Sequence, residues 1–122
     1  MRYLQGFVRC LIVVLMASAT WVSAHAVLTK SSVRDQPVRA NTPTAITLTF
    51  NSGIESGFAQ AVLRGGDGPD RSLGVRVGEK ASQVIVDLPA LPPGAYALRY
   101  KVLAADGHVT ESVLRFRVDP PR

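Results

Sequence analysis

The sequence predicts a small all-β domain, a β-sandwich of about seven short strands. Two observations predict this fold class: stretches of alternating apolar and polar residues recur along the chain, and clusters of turn-forming residues separate them. Short strands with turns every ~8–12 residues are typical of β-sandwiches. In addition, no window of about eleven residues after residue 24 has a convincing helical period, so we expect no long helix there.

Four segments alternate most clearly and are predicted as half-buried strands: residues 45–50, 82–88, 96–102 and 114–118. Weaker strand candidates are residues 26–30, 59–64 and 72–77. Because successive side chains of a strand point to opposite faces of the sheet, the apolar set of each clear strand should face the core. The predicted core residues are Ile46, Leu48, Phe50, Val84, Val86, Leu88, Tyr96, Leu98, Tyr100, Leu114, Phe116 and Val118.

Turn-forming residues mark the boundaries between these strands. The clusters are Asn-Thr-Pro at 41–43, Asn-Ser-Gly at 51–53, Gly-Gly-Asp-Gly-Pro at 65–69 and Leu-Pro-Pro-Gly at 91–94. Glycine supplies positive φ angles, proline presets a negative one, and Asn and Asp side chains bond to nearby backbone. The spacing of the clusters therefore predicts tight connections between consecutive strands.

The first 24 residues have the pattern of a secretory signal peptide. Arg2 and Arg9 give a positive start, an apolar run covers residues 11–17, and Val22 and Ala24 occupy the −3 and −1 positions of a cleavage site. An uncleaved membrane anchor is the alternative, but the apolar run is short compared with the ~20 residues that span a bilayer. We expect cleavage after Ala24, export of the protein, and a single mature domain of residues 25–122.

Composition restricts the chemistry of that mature domain. The only Cys and both Met lie in the predicted signal peptide, so the mature chain can form no disulfide and no thiolate or thioether Cu(I) site. The whole chain has 14 Lys and Arg against 9 acidic residues, a net charge of +5, and the basic residues are dispersed. Dispersed charge on an exported domain argues against a nucleic-acid partner.

Metal ligation is the chemistry that the two histidines of the chain favour. Cleavage after Ala24 makes His25 the free N-terminus, so its α-amine and its imidazole Nδ1 can chelate one metal ion. The second histidine, His108, lies two residues after Asp106, and residues two apart on an extended segment point to the same side. His25, Asp106 and His108 together offer three nitrogen donors and one oxygen, a tetragonal set that suits one Cu(II) ion.

The chain resembles the CopC family of periplasmic copper-binding proteins. The most specific parts of the resemblance are the post-signal segment 25–28, His-Ala-Val-Leu, and the Asp-Gly-His segment 106–108. Further matching segments are residues 43–50, Phe58, residues 91–96, 100–102 and 116–118. In order and spacing, the resemblance covers essentially all of residues 25–122.

The resemblance implies a small seven-stranded Greek-key β-sandwich or barrel, immunoglobulin-like and cupredoxin-like in shape, with its metal placed elsewhere than in cupredoxins. It implies that His25, Asp106 and His108 hold Cu(II), and that the protein acts in periplasmic copper homeostasis or resistance as a carrier or sequestering protein without turnover. Some members add a Met-rich Cu(I) site in a central loop, whereas residues 65–69 here contain no Met. CopC-type domains often work with a CopD-type copper transporter of the inner membrane, which is therefore the candidate partner.

Two other functions compete with the carrier interpretation. An N-terminal histidine with a second histidine also forms the copper brace of lytic polysaccharide monooxygenases, but those enzymes need an open coordination position and a broad substrate face. The other alternative is a metal-free binding module, because β-sandwiches serve many functions. A mature chain that does not begin at His25 would favour the metal-free alternative.

Overall fold

The computed structural model describes residues 26–121, in which eight strands follow the alternating segments of the sequence. The strands are β1 Leu28–Ser31, β2 Val38–Arg39, β3 Thr44–Phe50, β4 Gln60–Gly65, β5 Arg71–Val77, β6 Gln83–Leu88, β7 Gly94–Leu103 and β8 Val109–Asp119. One helical turn, α1 Ser32–Asp35, follows β1, and one 3₁₀ turn, Ser56–Phe58, precedes β4. The predicted signal peptide and His25 lie outside the described residues.

The strands form one curled sheet in the order β1-β3-β6-β5-β4-β7-β8-β2. All neighbouring strands are antiparallel except β2 and β8, which are parallel. Strand β5 joins the two layers, because its first residues pair with β4 up to Leu73 and its last residues pair with β6 from Gly74 onward. The layer of β1, β3 and β6 thereby folds over the layer of β4, β7 and β8, as predicted for a β-sandwich.

Side chains from both layers fill the space between them. All twelve predicted core residues are buried, and Ile46, Leu48 and Leu98 have no exposed surface. Aromatic rings pack at two places: Phe50 meets Tyr100 edge to face, and Tyr96 stacks on Phe116, each pair with centroids 5.7 Å apart. Such contacts add to the hydrophobic stabilisation of a domain in which the described residues include no cysteine.

The hydroxyl of Tyr96 fixes the connection that leads into β7. It donates a hydrogen bond of 2.7 Å to the carbonyl oxygen of Pro92, four residues upstream. A tyrosine that bonds to backbone a few residues upstream is the tyrosine corner of Greek-key sandwiches. The ring therefore packs in the core while its hydroxyl group stabilises the Leu-Pro-Pro-Gly turn.

Seven of the eight strands overlap the predicted ones, and the eighth is β2, a two-residue strand too short to show alternation. Strand β8 begins at Val109, five residues before the predicted start, because its first half pairs with β7 although it does not alternate in burial. The single turn α1 buries none of its residues and so leaves no helical period in the sequence. Within residues 26–121, no helix has the length and apolar character needed to cross a membrane.

Candidate metal site

Asp106 and His108 lie in the tight hairpin that connects β7 to β8. The N–H of Ala104 donates to the carbonyl of His108, and the N–H of Gly107 donates to the carbonyl of Ala104, both at 2.9 Å. Gly107 has a φ of 89°, a left-handed conformation that glycine adopts without steric cost. A turn followed by a left-handed glycine is a common three-residue hairpin loop, and here it sets Asp106 beside His108.

The two side chains of the hairpin are in direct contact. One carboxylate oxygen of Asp106, Oδ1, accepts the backbone N–H of His108 at 3.0 Å, and the other, Oδ2, lies 3.1 Å from its Nδ1. The side chain of His108 is 57% exposed and that of Asp106 is 32% exposed. The carboxylate is thus oriented by the backbone of its own loop, and both side chains remain accessible to an ion from solvent.

The separation of these two atoms fits a shared metal ion. Metal bonds of ~2.0–2.1 Å at right angles place neighbouring donors about 2.9 Å apart, close to the observed distance. In the alternative arrangement, Nδ1–H donates to the carboxylate and the lone pair on Nε2 is available to the metal. In the first arrangement, one imidazole nitrogen of His108 and one carboxylate oxygen of Asp106 together meet the preferences of Cu(II). In the second, His108 alone would bind the ion and the carboxylate of Asp106 would orient its ring.

The beginning of the described chain is held firmly. Ala26 is only 1% exposed and belongs to the core. The N–H of Val27 donates to the side-chain oxygen Oδ1 of Asn51 at 2.9 Å, and the carbonyl of Val27 accepts the N–H of Asn51 at 3.0 Å. Asn51 therefore fixes the backbone two residues after the predicted mature N-terminus.

The segment that follows Asn51 connects the start of the described chain to the hairpin of Asp106 and His108. The carbonyl of Gly53 accepts the N–H of Ala105 at 2.9 Å, and Ile54 forms a β-bridge with Ala104. Glu55 continues the contact, since its N–H donates to the carbonyl of Leu103 at 2.9 Å. Residues 51–55 thus have hydrogen bonds to the chain start on one side and to the hairpin on the other.

The structure brings Asp106 and His108 together, whereas His25 lies outside the described residues. Within residues 26–121, no group of three or more His, Cys, Asp or Glu side chains is arranged to hold a metal ion. Sequence reasoning missed the roles of Asn51 and Gly53, which it treated only as turn residues. The available signal was the Asn-Ser-Gly cluster itself, but the contact it makes with Val27 joins residues 24 positions apart.

Comparison with known proteins shows the family of the chain. The family model described as the CopC domain matches residues 28–119. A curated relative, Protein YobA of Escherichia coli strain K12, is 33% identical over 107 residues, which cover 85% of each chain.

Solved structures give the same result for the fold. The structure of CopC from Methylosinus trichosporium OB3b matches with a TM-score of 0.68 and 27% identity, and covers 80% of this chain and 97% of that one. PcoC of Escherichia coli, described as a methionine-rich copper resistance protein, matches with a TM-score of 0.57 and 22% identity over 79% of this chain and all of its own. Because the sequence identity to PcoC is low, this second match supports only a shared fold.

Proposed function

This chain belongs to the CopC family, and from that premise we propose that it is an exported Cu(II)-binding protein that carries or sequesters copper in the periplasm. The proposed ligands are the N-terminal amine and imidazole of His25, the carboxylate of Asp106 and the imidazole of His108. The observation that carries the proposal is the Asp106–His108 pair, with Nδ1 and Oδ2 3.1 Å apart on an accessible hairpin.

The contacts of the chain start support the part of the proposal that concerns His25. Ala26, to which His25 is bonded, is buried, and consecutive Cα atoms are 3.8 Å apart. Residues 51–55 link Val27 to Ala105, the neighbour of Asp106 in the chain. Hydrogen bonds through one short segment therefore connect the two parts of the chain that carry the proposed ligands.

The donor types support Cu(II) as the bound ion. Nitrogen and carboxylate donors favour Cu(II), which has the highest affinity for such sites among the divalent first-row metals. Residues 26–121 contain no Met and no Cys, in contrast to the methionine-rich protein PcoC. We therefore propose one Cu(II) ion per chain, with binding and release as the function and no catalytic turnover.

The same proposal includes the compartment in which the protein acts and its partner. The predicted signal peptide of residues 1–24 would deliver the chain to the periplasm, and cleavage after Ala24 would create the amine ligand. A CopD-type transporter of the inner membrane is the proposed partner for copper transfer. Because every ligand must be deprotonated to bind, copper affinity should fall as the pH drops, and binding should release protons.

Copper titration of ligand variants tests the proposal. The protein starting at His25 should bind one equivalent of Cu(II) in competition with a chelator, with an electron paramagnetic resonance spectrum typical of tetragonal nitrogen and oxygen ligation. His108→Ala and Asp106→Asn should each lower the affinity at least tenfold, because each removes one donor. An added glycine before His25 should have a similar effect, since it displaces the amine while keeping the imidazole.

The matched control is Asp67→Asn, which removes an exposed carboxylate from the loop between β4 and β5. We expect this control to bind copper as tightly as the unmodified protein. Unchanged affinity in His108→Ala would show that copper binds elsewhere and would contradict the proposed ligand set.

A further inference from the structure

A groove lined by arginines crosses the outer face of the layer formed by β4, β7 and β8. Its volume is about 480 Å³, and its lining includes Arg64, Ala95, Ala97, Arg115 and Arg117. The arginine groove, as we call it, shares no lining residue with the hairpin of Asp106 and His108. It is therefore a feature that copper binding does not explain.

The strand register explains why a groove forms at this place. Ala97 on β7 lies between Arg64 on β4 and Arg115 on β8, and Ala95 lies directly opposite Arg117. Adjacent strands are ~4.8 Å apart, so arginines on β4 and β8 flank the alanines of β7 at a separation of about 10 Å. Small side chains on the central strand make the floor, and long cationic side chains make the two walls.

One wall of the groove is already neutralised and held in place. Arg64 donates two hydrogen bonds to the carboxylate of Asp70, at 2.9 and 3.1 Å. The hydrogen bond from Arg64 is the main reason why the pKa of the Asp70 carboxyl lies below its usual value. A guanidinium paired in this bidentate manner is oriented and serves as a fixed boundary.

The other wall carries cations that the described part of the chain leaves unneutralised. Arg115 and Arg117 are exposed, and neither forms a salt bridge with any residue from 26 to 121. The neighbouring Arg99 lies 3.9 Å from Glu111, so this acidic residue of the same face is directed to another arginine. The groove consequently has two free guanidinium groups along one side.

The spacing of those two groups matches an extended polypeptide. Arg115 and Arg117 are two residues apart on one strand face, a separation of about 6.8 Å, which is the repeat of alternate side chains in any extended chain. The same face continues to Val113, which is 43% exposed. A second depression, of about 110 Å³, extends the groove past Val113 and Arg99. The complementary sequence is thus two acidic residues at alternate positions followed by an apolar one.

We propose that the arginine groove binds an extended acidic segment of a partner protein, whose alternate carboxylates pair with Arg115 and Arg117 and whose next alternate side chain packs on Val113. A membrane surface is broad and would contact only the guanidinium groups of the walls, leaving the recessed alanines of the floor uncovered. A small anion would use one guanidinium and leave most of the groove empty. A single extended polypeptide fits the width and the length of the groove and matches the spacing of its two free guanidinium groups.

Peptide titration followed by fluorescence anisotropy tests this proposal on the full exported protein. The probe is a labelled peptide with glutamates at two alternate positions, a valine at the next alternate position and threonines between them. We expect saturable binding that weakens with salt, since exposed charge pairs are screened. The double substitution Arg115→Gln and Arg117→Gln should weaken binding at least tenfold, because it removes both charge-assisted bidentate contacts.

The matched control removes two positive charges elsewhere, by Arg34→Gln and Lys80→Gln, and should change the affinity less than twofold. A peptide of the same composition with adjacent glutamates should bind more weakly than the alternating one. Equal binding by the Arg115 and Arg117 double variant, equal binding of both peptides, or no binding at all would overturn the proposal. So would inorganic phosphate or phosphatidylglycerol vesicles that compete at the groove as strongly as the peptide. None of these outcomes depends on copper.

Discussion

Gly107 separates the two side chains of the candidate metal pair and determines how they meet. Its φ of 89° turns the chain so that the Asp106 carboxylate faces both the backbone N–H and the ring of His108. Residues with a side chain adopt this left-handed conformation at a cost of about 1–2 kcal/mol. The geometry of the candidate pair therefore depends on a residue that has no donor side chain of its own.

We predict that Gly107→Ala lowers the free energy of unfolding by about 1–2 kcal/mol and weakens Cu(II) binding, because the new Cβ strains the loop that sets the ligand pair. Gly107→Asn should do less harm, since Asn tolerates positive φ, as Asn41 does at 59°. Thermal unfolding and copper titration measure the two effects. Gly57→Ala, in open space without a positive φ, is the control. Native-like stability and affinity in Gly107→Ala would refute this explanation of the hairpin.

The segment after β3 supports the candidate site from two sides. Asn51 forms hydrogen bonds to the start of the described chain, and Gly53 accepts a hydrogen bond from the hairpin. We predict that Asn51→Ala lowers Cu(II) affinity several-fold, since the N–H of Val27 loses its acceptor and the preceding residue is less fixed. The neighbouring Ser52→Ala, which removes a hydroxyl that donates to the carbonyl of Gly53, should leave the affinity unchanged. Equal Cu(II) affinities of the two variants would show that the hydrogen bonds of Asn51 do not contribute to copper binding.

Strands β4 and β7 pack closely where Gly65 lies opposite Tyr96. A Cβ added at Gly65 would overlap the Tyr96 ring, whose hydroxyl also holds the turn before β7. We predict that Gly65→Ala destabilises the fold by about 1–3 kcal/mol, the usual cost of overpacking. Gly68→Ala, three residues along in open space, should be nearly neutral. Chemical denaturation of both variants measures the difference, and equal stabilities would show that the Tyr96 ring moves aside without cost.

The alternation of apolar and polar residues predicted the strands that have one buried and one solvated face. It did not predict strand segments that lack a buried face and are defined only by hydrogen bonds to a neighbouring strand. Ile46, Leu48 and Phe50 were predictable because an amphipathic strand has only one face to bury. The first half of β8 was not, because Val109 and Val113 are exposed and the strand there is defined by its ladder with β7. The proximity of Asp106 and His108 was predictable from their spacing, whereas the anchoring role of Asn51 depends on a contact distant in sequence.

The two candidate functions, copper binding and binding of an acidic segment, lie in different regions of the molecule. The proposed copper ligands Asp106 and His108 lie at the hairpin between β7 and β8, while the arginine groove lies on the outer face of β4, β7 and β8. The layer that carries the hairpin and the groove is packed on a core in which Leu98 has no exposed surface, and the two regions share no lining residue. A partner held at the groove would therefore leave Asp106 and His108 accessible for copper.

An intact mass of the exported protein is the most direct test of the proposed copper site, measured first alone and then with one equivalent of Cu(II) under native conditions. We predict a chain that begins at His25 and retains one copper ion. That result would establish the free amine on which the chelate depends, together with the stoichiometry. A chain that begins elsewhere, or that begins at His25 and retains no copper, would contradict the site formed by His25, Asp106 and His108.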